Sequence, residues 1–137
     1  MNAHLAQAVR NRAANACEYC RMPQAGFPTI KFHVDHIVAR QHGGKTVMGN
    51  LALACHNCNA FKGPNLAGID SPTGRLTRLY NPRRHRWGRH FRWDGPRIVA
   101  RTAVGRATVQ VLNLNDAEVV LTRATLILEG LLVPEIG

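Results

Sequence analysis

Apolar residues return at three-to-four spacing near the start of the chain, where Leu5, Val9 and Ala13 share one side of a run of good helix formers. That period predicts a short helix over residues 3 to 14. From Pro28 to Asp35 the period changes, because Ile30, Phe32 and Val34 alternate with Thr29, Lys31 and His33 as on a strand with one buried face. A Gly43-Gly44 loop follows. Asn50 to Ala54 reads as a second short strand, and Cys55 to Gly63 as a turn running into a short helix stopped by Gly63-Pro64. Asn65 to Gly74 carries turn formers, Pro72 and Gly74 among them, and reads as a connector. Arg97 to Thr102 is expected to pair with Phe91 to Trp93 across the turn Asp94-Gly95-Pro96. Thr102 or Asn115 then caps a helix, and Val119, Leu121, Leu126, Ile127 and Leu131 place a last helical segment on the core. No internal repeat or low-complexity tract interrupts this order.

Size and composition narrow the class. At 137 residues the chain holds one hydrophobic core and not two, so one compact unit with appendages is expected. Hydrophobic residues at 45% exclude wholesale disorder. No apolar run approaches the roughly 18 residues that span a bilayer, so a soluble protein with no membrane partner is expected. The opening MNAHLAQAVRNRAANAC lacks the unbroken apolar stretch of a secretory signal. The expected setting is therefore cytoplasmic and reducing, where metal is favoured over disulfides for the four cysteines.

Eighteen Lys and Arg stand against eight Asp and Glu, a net charge of +10 that attracts polyanions. Fifteen of those cations are arginine, whose planar fork suits bidentate contact with a phosphate backbone. Nine of them lie between Arg75 and Arg101 against one acid, Asp94, and are interleaved with Tyr80, Trp87, Phe91 and Trp93. Two readings stand for this stretch. Arg83, Arg84, Arg86, Arg89 and Arg92 track a nucleic acid backbone while a tryptophan stacks on an unpaired base; or the tryptophans are the core of a small hairpin and the arginines its wet face. For the net charge alone, solubility is the competing account.

The cysteines form two C-x2-C pairs, Cys17/Cys20 and Cys55/Cys58, thirty-four residues apart with none left over. Each knuckle presents two thiolates, and two knuckles complete the tetrahedron that zinc takes in closed structural sites. Binding free energy from such a site is largely folding free energy, which a small domain needs. Packing as small hydrophobes, or a redox pair, is the competing account.

Between the knuckles lie His33-Val34-Asp35-His36-Ile37, Gly43-Gly44 and Asn50-Leu51, and after the second come Asn59 and Lys62-Gly63. The run DHI, GG, NL, CxxCN, KG resembles the signature of HNH (ββα-metal, His-Me finger) endonucleases and covers Cys17 to Gly63, about a third of the chain. The resemblance implies that His36 is the general base, suited by an ordinary pKa near 6.5. It implies that Asp35 and Asn59 hold one divalent cation, and that Asn50 holds the intervening loop and so orients His36. The third position is Asn59 where the family name has histidine, which moves the expected catalytic metal from zinc or nickel toward Mg²⁺ or Mn²⁺. Ala39 stands where many relatives have proline. Lys62 either reaches a phosphate or is a solvated lysine at a helix end, and His33, His42 and His56 are expected to be structural.

The segment Leu79-Tyr80-Asn81-Pro82-Arg83 through Trp93, with Gly105-Arg106-Ala107-Thr108, resembles an extension of bacterial stand-alone HNH proteins. The expected architecture is α+β: a zinc-stapled ββα core over residues 1–64, then a basic hairpin and helices over 65–137 packed on it. The expected activity is hydrolysis of nucleic acid phosphodiesters, with DNA preferred over RNA on resemblance. The rival readings are a zinc-dependent binding module that does not cut, and a nuclease subunit that needs a targeting partner. A homodimer would turn nicking into double-strand cutting, since one ββα site cuts one strand at a time.

Overall fold

The structure is a computed structural model and describes residues 1–134. Helix α1 (Ala3–Arg12) starts at Asn2, whose side chain accepts a hydrogen bond from the Leu5 N–H at 2.7 Å. It ends two residues before the expected boundary because Ala14 and Asn15 take positive φ, 53° and 54°, and turn the chain into the first cysteine knuckle. Val9 is buried on its inner side, as the spacing implied.

The central hairpin pairs β1 (His33–His36) with β2 (Leu51–Ala54), antiparallel, with Asp35 opposite Ala52 and His36 opposite Leu51. The first strand is shorter than the expected Pro28 to Asp35. Its partner runs out at Ala54, where the second knuckle begins, and residues 24–32 are instead organised by one side chain. Gln24 donates from Nε2 to the carbonyls of Phe27 and Ile30 at 2.8 and 2.7 Å and accepts from the Phe32 N–H at 2.9 Å. Helix α2 (His56–Lys62) follows, capped by Cys55, whose sulfur accepts from the Cys58 N–H. Gly63, at φ 49°, stops it.

Residues 65–74, expected to be a plain connector, contain half of a second hairpin, β3 (Ala67–Asp70) against β4 (Arg75–Arg78). The third hairpin, β5 (Phe91–Asp94) with β6 (Arg97–Ala100), lies where the pattern put it, preceded by one turn of helix, α3 (Trp87–His90). Thr102 caps α4 (Ala103–Val111) through the Gly105 N–H. Helix α5 (Ala117–Leu128) is capped by Asp116 and not by Asn115, whose amide serves as a strand partner, bonding both N–H and C=O of Ile98 at 2.8 Å. Val119 and Leu126 of α5 are buried, but Leu121 and Leu131 are exposed, correcting the expectation that they pack inward.

One core joins the two parts of the chain: Val9, Tyr19, Met22, Phe32, Leu51 and Leu53 pack in the same cluster as Phe91, Ile98, Leu112 and Leu114. Specific bonds cross the same boundary. Trp87 donates from its indole N–H to the Tyr19 carbonyl at 2.9 Å, and Arg83 pairs with Glu18, which also accepts from the Leu53 N–H. No helix among the described residues is long and apolar enough to cross a membrane.

Candidate active site and cysteine cluster

Each C-x2-C pair folds as a knuckle because the first sulfur accepts a backbone N–H from the second cysteine, Cys17 from Cys20 and Cys55 from Cys58, both at 3.4 Å. The β1–β2 hairpin then brings the knuckles together. All four sulfurs are buried and lie within 4.8 Å of one another, with Cys20 and Cys55 at 3.6 Å. A tetrahedron with Zn–S bonds of about 2.3 Å has S···S edges of about 3.8 Å, so the cluster is positioned to form a zinc site. Its protonation fits the same conclusion. Although burial pushes Cys17 up, hydrogen bonds from Cys20, Cys55 and Cys58 hold it well below the ordinary thiol range, and bonding to Cys17 in turn pushes Cys20 and Cys58 well above it. A dication replacing those shared protons relieves the conflict.

A buried cation lies within electrostatic reach of this cluster. Arg123 of α5 is fully buried, donates from Nη2 to the Leu114 carbonyl at 2.6 Å and lies over the Trp93 ring at 5.7 Å, while its Nε and Nη1 have no partner. Burial lowers its pKa, and the sulfurs of Cys20, Cys58 and Cys55 raise it. A zinc tetrathiolate carries net charge −2, the counter-charge this guanidinium requires.

The second site is built at the end of β1. Val34, Asp35, His36, Ala39, Arg40 and Asn59 line an open cavity of about 310 Å³. His36 Nε2 shares a hydrogen bond of 2.8 Å with the Thr46 hydroxyl, which fixes the ring and leaves Nδ1 without a protein partner. Asp35 Oδ2 pairs with the Lys62 ammonium at 3.3 Å and accepts from the Tyr19 hydroxyl at 3.2 Å; Oδ1 is free. Burial pushes the Asp35 carboxyl up from the ordinary carboxylate range, against the pull of Lys62 and Tyr19. The Asn59 side chain makes no hydrogen bond to the protein. A free carboxylate oxygen and a free amide group therefore line one cavity beside an imidazole, a donor set that fits a hard divalent cation.

Asn50 spans the loop after His36. Its Oδ1 accepts from the Val38 N–H at 2.9 Å, and its Nδ2 donates to the carbonyls of Val38 at 3.0 Å and Lys45 at 2.9 Å. The loop closes this tightly only because residue 44 is glycine: a Cβ there would lie 1.7 Å from the Val38 carbonyl oxygen.

Residues 17–64 match the HNH endonuclease family. The match covers about a third of the chain and takes in both cysteine knuckles, β1, β2 and α2. No curated protein and no solved structure matches the chain. Within the HNH segment the structure brings Asp35, His36 and Asn59 to one cavity and sets Asn50 behind them in the loop. Lys62 is neither solvated nor turned out toward a phosphate, the two alternatives its place at the helix end offered: it is 2% exposed, held by Asp35 and by the His36 carbonyl at 3.3 Å. Tyr19 and Thr46 were missed, since each acts through a partner sixteen or ten residues away and no spacing marks it.

Outside the HNH segment the five basic positions divide. Arg83 is committed to Glu18 and to the Leu51 carbonyl, whereas Arg84, Arg86, Arg89 and Arg92 are exposed and their side chains make no hydrogen bond to the described residues. Trp87 is buried against Phe91 and Trp93, so the hairpin-core reading holds for it.

Proposed function

We propose that this protein is a metal-dependent endonuclease that hydrolyses nucleic acid phosphodiesters, DNA in the first instance. The observation that carries the reading is the meeting of Asp35, His36 and Asn59 in one open cavity, inside a segment that matches the HNH endonuclease family. His36 takes the proton of the attacking water as the new P–O bond forms and the bond to the departing sugar oxygen breaks. With His36 in the Nε2–H tautomer, the Thr46 hydroxyl would accept from Nε2 and leave Nδ1 as the basic nitrogen. Asp35 and Asn59 would hold Mg²⁺ or Mn²⁺, which when bound relieves charge on the phosphoryl and leaving oxygens. Asn50 keeps the loop after His36 from swinging across the cavity. Arg84, Arg86, Arg89 and Arg92 supply backbone contacts without reading bases.

The test is cleavage of supercoiled plasmid by wild type and His36→Ala, with Mg²⁺ or Mn²⁺ and with chelator. Metal-dependent nicking that disappears in His36→Ala supports the reading. A second reading, a zinc-dependent binding module, rests on the ion pair that occupies one oxygen of Asp35. Plasmid shifted on a gel but never cut, with any divalent metal, would decide for it.

A further inference from the structure

A second cleft lies on the other side of the wall that carries His36. Its volume is about 700 Å³, within the range of about 300 to 1,000 Å³ common to small-ligand sites. The wall between the two cavities is thin: His36 lines the catalytic cavity and Ile37 the cleft, and Gly63 faces the first while Lys62 borders the second. The β3–β4 hairpin forms one flank and residues 79–85 the other. Ile37 and Tyr80 lie buried in its floor, Leu66 and Leu76 are exposed along its edge, and the rim carries Arg78 and Arg84, exposed and with side chains that make no hydrogen bond to the described residues. No acidic residue among the described residues lines it. Leu76 is 76% exposed, unusual for leucine facing a concave surface.

We infer that this cleft receives one unpaired nucleotide of the nucleic acid strand, its base against Ile37, Leu66 and Leu76 and its phosphates on Arg78 and Arg84, next to the phosphate presented to His36. The inference rests on the proposed nuclease reading and gives it a substrate class: strands carrying a bulged, flapped or otherwise unpaired residue. Charge selects the occupant, since cationic rims around an acid-free apolar floor match a base attached to phosphate. Geometry selects the unpaired state, since a base stacked in a duplex cannot enter a cleft, and an already unstacked one enters without the cost of extrusion.

The experiment measures fluorescence anisotropy with a labelled DNA duplex and with the same duplex carrying one unpaired nucleotide, without added divalent cation so that no strand is cut. Wild type is expected to bind the bulged duplex about tenfold tighter than the paired one. Leu76→Asp, at an exposed position whose change leaves the core intact, abolishes that preference while paired-duplex binding persists. Arg78→Ala weakens the bulged complex severalfold more than the paired one. Equal wild-type affinity for the two duplexes overturns the inference. So does a preference that survives both substitutions, or a Leu76→Asp effect confined to the sedimentation coefficient, which would assign the cleft to a second copy of the chain. The two readings fail separately: preference without cleavage by any divalent metal removes the nuclease and leaves the cleft, whereas cleavage without preference removes only the cleft.

Discussion

Asn50→Ala is expected to cost about 3 kcal/mol of stability, although the residue is neither a ligand nor part of the hydrophobic core. The figure follows from its three hydrogen bonds, two to Val38 and one to Lys45, each worth about 0.5 to 1.5 kcal/mol net. The half-buried Val38 groups recover part of their loss from water, so the full desolvation penalty is not added. For a chain of this size that loss lowers Tm by about 10 °C. Calorimetry at constant free zinc reads it, because Asn50 touches no cysteine. Asn50→Asp sharpens the test. It keeps the acceptor for the Val38 N–H but turns an oxygen toward two carbonyls, and is expected to fall at least as far as alanine. A drop under about 2 °C in the alanine variant, or an aspartate variant as stable as wild type, would refute the clamp.

Removal of zinc by a selective chelator should abolish near-UV circular dichroism and the cooperative transition, since structural sites contribute on the order of 10 to 16 kcal/mol against a total stability of about 5 to 15; a stripped protein that still melts cooperatively would contradict this. Arg83→Ala should destabilise by about 1 to 3 kcal/mol by stranding Glu18, whereas Arg89→Ala should leave stability within about 0.5 kcal/mol and reduce the salt slope of DNA binding by about one unit. Urea unfolding and salt titration separate the two, and identical phenotypes would be inconsistent with their different surroundings. Burial, then the charges of His85 and Arg89, holds His90 below its ordinary pKa. The unfolded chain therefore binds more protons between that lowered value and about 6.5, and His90 contributes stability present above about pH 6.5 and lost as pH falls below it. His90→Gln should flatten the difference in urea midpoint between neutral and mildly acidic pH, and an unchanged difference would count against it.

What could be read from the sequence follows the range of the interaction responsible. The cysteine knuckles, α1 and the β5–β6 hairpin depend on neighbours a few residues apart, and their patterns are visible in the chain. The β3–β4 hairpin depends on distant ones. Asp70 is fully buried and held by Thr73 and by two bonds from Arg106 on α4, and Gly68 lies so close to α4 that a Cβ would meet Val111 at 2.5 Å. Locally those residues show only turn formers. The same division separates Asp35, His36, Asn50 and Asn59, whose order and spacing match a known signature, from Tyr19 and Thr46, which become meaningful only when the hairpin closes.

Charge makes the point most sharply. Eighteen cations are evident in the sequence, but not which of them leave water. Among the described residues two lysines or arginines are buried, Lys62, paired with Asp35, and Arg123, whose pKa burial lowers and the sulfurs of Cys20, Cys58 and Cys55 raise. A buried ammonium or guanidinium is costly unless an anion is buried with it. The position of Lys62 is therefore explained by the negative charge that the Asp35 carboxylate brings to it. Of the other cations some hold the fold, Arg83 on Glu18 and Arg106 on Asp70, whereas the side chains of Arg84, Arg86, Arg89 and Arg92 make no hydrogen bond to the described residues. The fold thus divides one excess of positive charge between ion pairs that hold its own structure and side chains left in solvent.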